Sequence, residues 1–107
     1  MAWILSFYNA RVAAQVDAWP AGIRASFLRI AELMVQHGPA LGLPQTRALG
    51  GGLFEVRARG HEGIGRAFYC TVVDERIVIL HAFIKKTEQA PQRELAIAKA
   101  RIREVKA

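Results

Sequence analysis

The sequence predicts an α+β fold, a small antiparallel β-sheet with helices packed on one face, in the order β-α-α-β-β-β-α. Three observations carry this expectation. Apolar residues recur at helical spacing between Ile23 and Val35, three strand-like segments follow one another from Leu53 to Lys85, and a second helical stripe runs from Leu95 to Val105. The connections between the three strands are tight, which makes them antiparallel neighbours. Strands grouped in one block, with helices before and after, separate the helices from the sheet instead of alternating with it.

Residues 2–8, rich in aromatic and β-branched types, read as a first strand. Asn9 can cap a short helix from Ala10 to Trp19, and Pro20 suits the first turn of the next. In that second helix Ile23, Phe27, Ile30 and Met34 line one stripe, a core face and not a cofactor box. His37-Gly38-Pro39 stops it. Residues 38–52 hold most of the turn-forming residues and read as a connector. Gly50-Gly51-Gly52 is no phosphate loop, because it lacks the Gly-Lys-Ser/Thr ending and leads into a strand. The strands are Leu53–Arg59, Ile64–Val73 and Arg76–Lys85, and Pro91 opens a last helix with Leu95, Ala98, Ile102 and Val105 on its apolar side. With all helices on one face of the sheet, Arg101 and Arg103 of this last helix are expected to lie away from any site on the other face.

The 107 residues suit a single domain, 1–107, able to bury a core without covalent staples. The lone Cys70 excludes an internal disulfide, and no metal-spaced cysteine pair exists, so neither a metal nor any other cofactor is expected. The start, Met1-Ala2-Trp3-Ile4-Leu5, lacks the basic head of a signal peptide, and no apolar run approaches a membrane span. A cytoplasmic protein without a membrane partner is the expectation. A net charge of +6 asks for an anionic partner. Eleven of the 15 Lys and Arg residues lie from Arg57 onward, inside regular structure and mixed with acids, so the excess is a surface and not a basic tail.

Period-2 alternation places Arg57 and Arg59 with Leu53 and Glu55, opposite Phe54, Val56 and Ala58. Arg66 interrupts an otherwise apolar second strand, where a guanidinium is costly unless paired or solvated. On the third strand His81, Phe83 and Lys85 share a face, with Lys86 following. Adjacent strands lie about 4.8 Å apart, so these groups gather into a patch of cations, an imidazole and an aromatic ring. Such a patch suits RNA, the cations meeting phosphates and a ring stacking on a base. Taken singly, each residue has an ordinary role open to it. Arg57 and Arg59 are common solubilising residues, a lone His81 is more often a core histidine, Lys85-Lys86 is a solvated strand end, and Tyr69 is core or rim with base stacking as the alternative. His61, in a turn, reads as incidental. Residue patterning alone leads to an anion-binding face on an α+β domain.

Three strand segments and an Ala-Pro pair carry more. Leu53-Phe54-Glu55-Val56-Arg57-Ala58-Arg59, Gly63-Ile64-Gly65-Arg66-Ala67-Phe68-Tyr69 and Ile79-Leu80-His81-Ala82-Phe83-Ile84-Lys85-Lys86-Thr87, then Ala90-Pro91, resemble the phage-derived, HigB-like toxins of the RelE/ParE superfamily over residues 20–105. The resemblance implies the toxin of a type II toxin–antitoxin system, a metal-independent endoribonuclease (mRNA interferase) that cuts translated mRNA in the ribosomal A site and so inhibits translation. It implies as partners mRNA, the ribosome and a cognate antitoxin, expected to be a helix-turn-helix protein. By position, Arg57 and Arg66 match basic residues of the family's concave sheet, and Lys85 and Lys86 the basic end of its last strand. With His81 as the acid–base group, Arg66, His81, Lys85 and Lys86 form the expected catalytic set, and Arg57, Arg59, Tyr69 and Phe83 the expected RNA contacts. Histidine is the candidate type whose unperturbed pKa lies near neutrality. Relatives commonly carry an aromatic before the strand arginine where this chain has Gly65, which implies an altered way of positioning a base. A ParE-like protein that inhibits DNA gyrase without cleaving RNA, and a non-catalytic RNA-binding accessory protein, are the alternatives.

Overall fold

Local chemistry sets the helix boundaries. In the computed structural model, which describes residues 2–85 and 91–106, the Asn9 side chain accepts the Val12 N–H at 2.9 Å and starts α1 (Ala10–Asp17). Helix α2 (Ala21–His37) begins after Pro20 without a side-chain cap of its own. Its cap comes from far along the chain, where Glu62 Oε2 accepts the Gly22 N–H at 2.8 Å. That bond holds the Glu62 carboxyl below its ordinary value. Gly38, at φ 100°, ends α2 in a conformation that few other residues adopt.

The strands are β1 (Ile4–Phe7), β2 (Thr46–Gly50), β3 (Leu53–Gly60), β4 (Gly63–Val72) and β5 (Arg76–Ile84), and α3 (Gln92–Val105) follows. They form one sheet in the order β1-β5-β4-β3-β2. The expected three-stranded meander is present, and the α+β class holds. Two features differ from expectation at the sheet edges. The connector contains β2, a fourth antiparallel strand whose short Thr-Arg-Ala-Leu-Gly segment is hidden among turn residues. The N-terminal strand β1 pairs with β5 in parallel, Ile4 opposite Arg76 and Phe7 opposite Ile79.

A third difference bears on the site. The helices do not share one face. Helices α1 and α2 and the turn between them pack Val12, Val16, Trp19, Ile23, Phe27, Ile30 and Met34 against Val56, Ala58, Ala67, Tyr69, Ile77 and Ile79. Helix α3 lies on the opposite face, where Leu95, Ala98, Ile102 and Val105 cover Leu53, Phe68, Cys70, Val78 and Leu80. The physical reason is the continuous apolar run of β4 and β5, which presents two apolar faces and requires cover on both. The placement of Arg101 away from the polar face is therefore overturned: α3 occupies part of that face.

Two local features set which side chains meet. The β4–β5 register shifts between Phe68 and Tyr69, which pair with His81 and Ile79, so Leu80 is an extra residue in a β-bulge. As a result Leu80 packs beneath α3 while the next residue, His81, also reaches α3. Gly65 is the second feature. A Cβ there would stand 2.7 Å from both Ile23 Cγ2 and the Trp19 ring, so position 65 faces α1 and α2. The expectation that its missing side chain alters base positioning is corrected accordingly: Trp19 fills that space, on the face away from Arg66. Among the described residues, no helix is long and apolar enough to cross a membrane.

Candidate functional site

Strand register builds the site in three cross-strand rows on the face that α3 half covers. In the first row Arg47, Glu55, Phe68 and His81 stand opposite one another on β2, β3, β4 and β5. The second row is Arg57, Arg66 and Phe83. In the third, Arg59 pairs with Ile64, whose carbonyl accepts the Lys85 N–H at 2.9 Å. Helix α3 covers the lower end of this face and its first turns border the first row. Arg57, Arg59 and Phe83 remain wholly or partly accessible.

The electrostatic centre is Glu55, whose side chain is 0% exposed. Arg66, 8% exposed, directs both Nε and Nη2 to Glu55 Oε2. Arg47 Nη2 lies 3.4 Å and Arg57 Nε 3.9 Å from Oε1, which has no hydrogen-bond partner among the described residues. The Arg66 guanidinium also lies over Phe68 and Phe83, 5.8 and 5.6 Å from their ring centres. One carboxylate among three guanidiniums leaves a net positive cluster whose buried member cannot swing away. Such a cluster presents a fixed positive field to an anion without reorganising.

His81, also 8% exposed, sits at the border of α3. Its Nε2 contacts Glu94 Oε1 at 2.9 Å, its ring stacks on Phe83 at 5.8 Å, and its Nδ1 is buried with no partner among the described residues. Two turns further along α3, Arg101 donates from Nη1 to the Leu80 carbonyl at 2.7 Å. The Arg101 guanidinium also lies 4.6 Å from the centre of the Tyr8 ring. The Tyr8 hydroxyl donates to Glu104, which raises the tyrosine's pKa.

Of the residues singled out in the sequence, Arg57, Arg66, His81 and Phe83 are brought together, with Arg59 and Lys85 in the adjoining row. Lys86 lies outside the described residues. Tyr69 is a correction. It is fully buried on the α1 and α2 side, stacked on Phe54 at 5.3 Å with its hydroxyl bonded to the Pro39 carbonyl, and so cannot contact RNA on the Arg66 face. Burial pushes its phenol up to about 12. Glu55 shares Arg57's parity and could have been found in the sequence as the acid among the cations. Arg47 was hidden with β2, and Glu94 and Arg101 with the face that α3 takes.

Fold and face together define a small basic α+β protein with an arginine cluster on a half-covered sheet face. The chain belongs to the family of phage derived Gp49-like proteins, whose model matches residues 14–103. Its fold is similar to that of the E. coli toxin RelE, solved as a mutant in the free state, with a TM-score of 0.68 at 12% identity over 95% of this chain and 99% of that one. It is also similar to a chain of the archaeal RelE-RelB complex from Pyrococcus horikoshii, with a TM-score of 0.58 at 21% identity over 78% of this chain and 96% of that one. No curated protein sequence matches it. The family match bears out the phage-derived resemblance that the strand segments carry, and the fold is RelE-like.

Proposed function

We propose that this protein is the toxin of a type II toxin–antitoxin pair, an endoribonuclease that cuts mRNA at the ribosome in the cytoplasm and so stops translation. The observation that carries this reading is the convergence of Arg57, Arg66, Phe83 and His81 in two neighbouring rows of one sheet face. The RelE-like fold and the RelE-RelB neighbour support a toxin with an antitoxin partner, for which a helix-turn-helix protein is the expected type.

Cleavage by an internal nucleophile needs the ribose 2′-OH held in line with the phosphate and the added charge on phosphorus stabilised. His81 is assigned the proton transfer, worth about 10²–10⁴ in rate for a positioned group. Arg66, held by Glu55, and Lys85 stabilise the phosphorane, one such donor contributing about 10²–10³. Arg57 and Arg59 take flanking phosphates, and Phe83 stacks on a base. Lys86, next in sequence and outside the described residues, is assigned the same charge-stabilising role as Lys85.

Expression from a tight promoter, with and without the neighbouring reading frame, tests the proposal together with primer extension on mRNA. Growth arrest, discrete cuts and rescue by the neighbouring protein are expected. Normal growth at confirmed soluble expression overturns the toxin reading. DNA-damage signalling with intact mRNA replaces the nuclease with a gyrase inhibitor.

A further inference from the structure

Three features of α3 and β5 converge on one side chain. The bulge at Leu80 brings His81 to the α3 side of the sheet, next to the Leu80 carbonyl. Arg101 takes that carbonyl at 2.7 Å, and Glu94, seven positions earlier and so on the same side of the helix, contacts His81 Nε2 at 2.9 Å. We propose that Glu94 and Arg101 are positioning residues. Glu94 fixes the tautomer and orientation of the His81 ring, and Arg101 holds the bulge that delivers the ring to the Arg66 face. The proposal deepens the nuclease reading and rests on it for the role of His81, though the geometry of the clamp does not.

The chemistry is specific. A carboxylate at Nε2 selects the tautomer with its proton on that nitrogen, so Nδ1 carries the lone pair. Nδ1 is buried and has no donor among the described residues. A buried acceptor without a donor is costly, and a ribose hydroxyl is a donor that would satisfy it. Phe83, half-buried, stacks on that ring at 5.8 Å. In this arrangement the proton passes from the 2′-OH to Nδ1 as the oxygen attacks phosphorus. Glu94 accepts a hydrogen bond throughout and never touches the substrate.

The test pairs a signature of the ring with kinetics. In the 15N spectrum of the wild-type protein, His81 should show a pyridine-like Nδ1 and a pyrrole-like Nε2. Glu94→Gln keeps an acceptor oxygen and should preserve that pattern, with kcat within about threefold of wild type. Glu94→Ala should mix the tautomers and lower kcat about tenfold or more at nearly unchanged KM, a part of what a positioned base contributes. Arg101→Met should split or broaden the His81 signals as the bulge loses its anchor, and lower kcat likewise. Arg103→Ala, exposed on the same helix, should change neither readout. A wild-type His81 protonated on Nδ1 alone, or a tautomer pattern indifferent to Glu94→Ala, overturns the clamp whatever the activity. If the wild-type protein shows the expected pattern but cuts no RNA, the clamp stands and the nuclease reading fails.

Discussion

Glu55 and Arg66 show how a buried charge can be structural and functional together. The Arg66 guanidinium is confined between Glu55, Phe68 and Phe83, so Glu55→Ala strands a buried cation and should cost about 3–5 kcal/mol in urea denaturation. Arg47 and Arg57 remain near Glu55 when Arg66 is replaced. Arg66→Ala should therefore still fold while losing most cleavage, which denaturation and primer extension together check. Arg57, 27% exposed, separates the two roles: Arg57→Ala should weaken RNA binding and leave the midpoint nearly unchanged. On the other face Tyr69 supplies a pH signature. Its folded pKa of about 12 exceeds the ordinary 10.0, so between these values the unfolded chain gives up a proton that the folded one keeps. The stability held below pH 10 should decline as pH rises toward 12. Tyr69→Phe should flatten that decline while losing about 1 kcal/mol from the bond to Pro39, both readable from denaturation midpoints across the range.

At the level of elements, α2 depends on a cap supplied by the β3–β4 turn. The Glu62 carboxyl is held below its ordinary value by the Gly22 N–H, so it stabilises the fold above that value and the contribution fades as pH falls through the lowered one. Glu62→Ala should lower Tm near neutrality, and the gap from wild type should narrow in acid, as thermal melts at two pH values would show. The sheet and α2 meet closely at Gly65, where Gly65→Ala would place a methyl against Ile23 and Trp19 and should cost about 1–3 kcal/mol by denaturation. Much of this level was legible in the sequence. The stripe Ile23, Phe27, Ile30, Met34 is the buried face of α2, and Leu53–Arg59 divides its side chains as alternation predicts. Alternation also grouped Arg57, Arg66, His81 and Phe83. It could not show the bulge at Leu80, because no glycine or proline marks it, nor which face α3 takes, because a helical stripe fits either side of a sheet. Both depend on tertiary packing, and they hid Glu94 and Arg101.

On the scale of the whole molecule, a chain of net charge +6 sets Arg47, Arg57, Arg59, Arg66 and Lys85 in neighbouring rows of one half-sheet, so under the proposed function RNA affinity should fall steeply with salt. Contacts by Arg57, Arg59, Lys85 and Arg66 would together give a log–log slope of about −3 for a single strand, at roughly 0.7 per phosphate. Filter binding across ionic strengths checks this, and an affinity insensitive to salt would remove the basic face from the account. The parallel pairing of β1 with β5 reaches beyond equilibrium binding. Strand β1 must wait for β5, about 70 residues on, before it has a neighbour, and α3 follows β5 in the chain. Long-range pairings of this kind slow folding and place it late in synthesis. A nascent chain therefore carries its arginines before it has Glu94 and Arg101 to set His81 among them. Under the proposed function, birth and activity are separated in time, and the ribosome that makes the protein is shielded from it until α3 is in place.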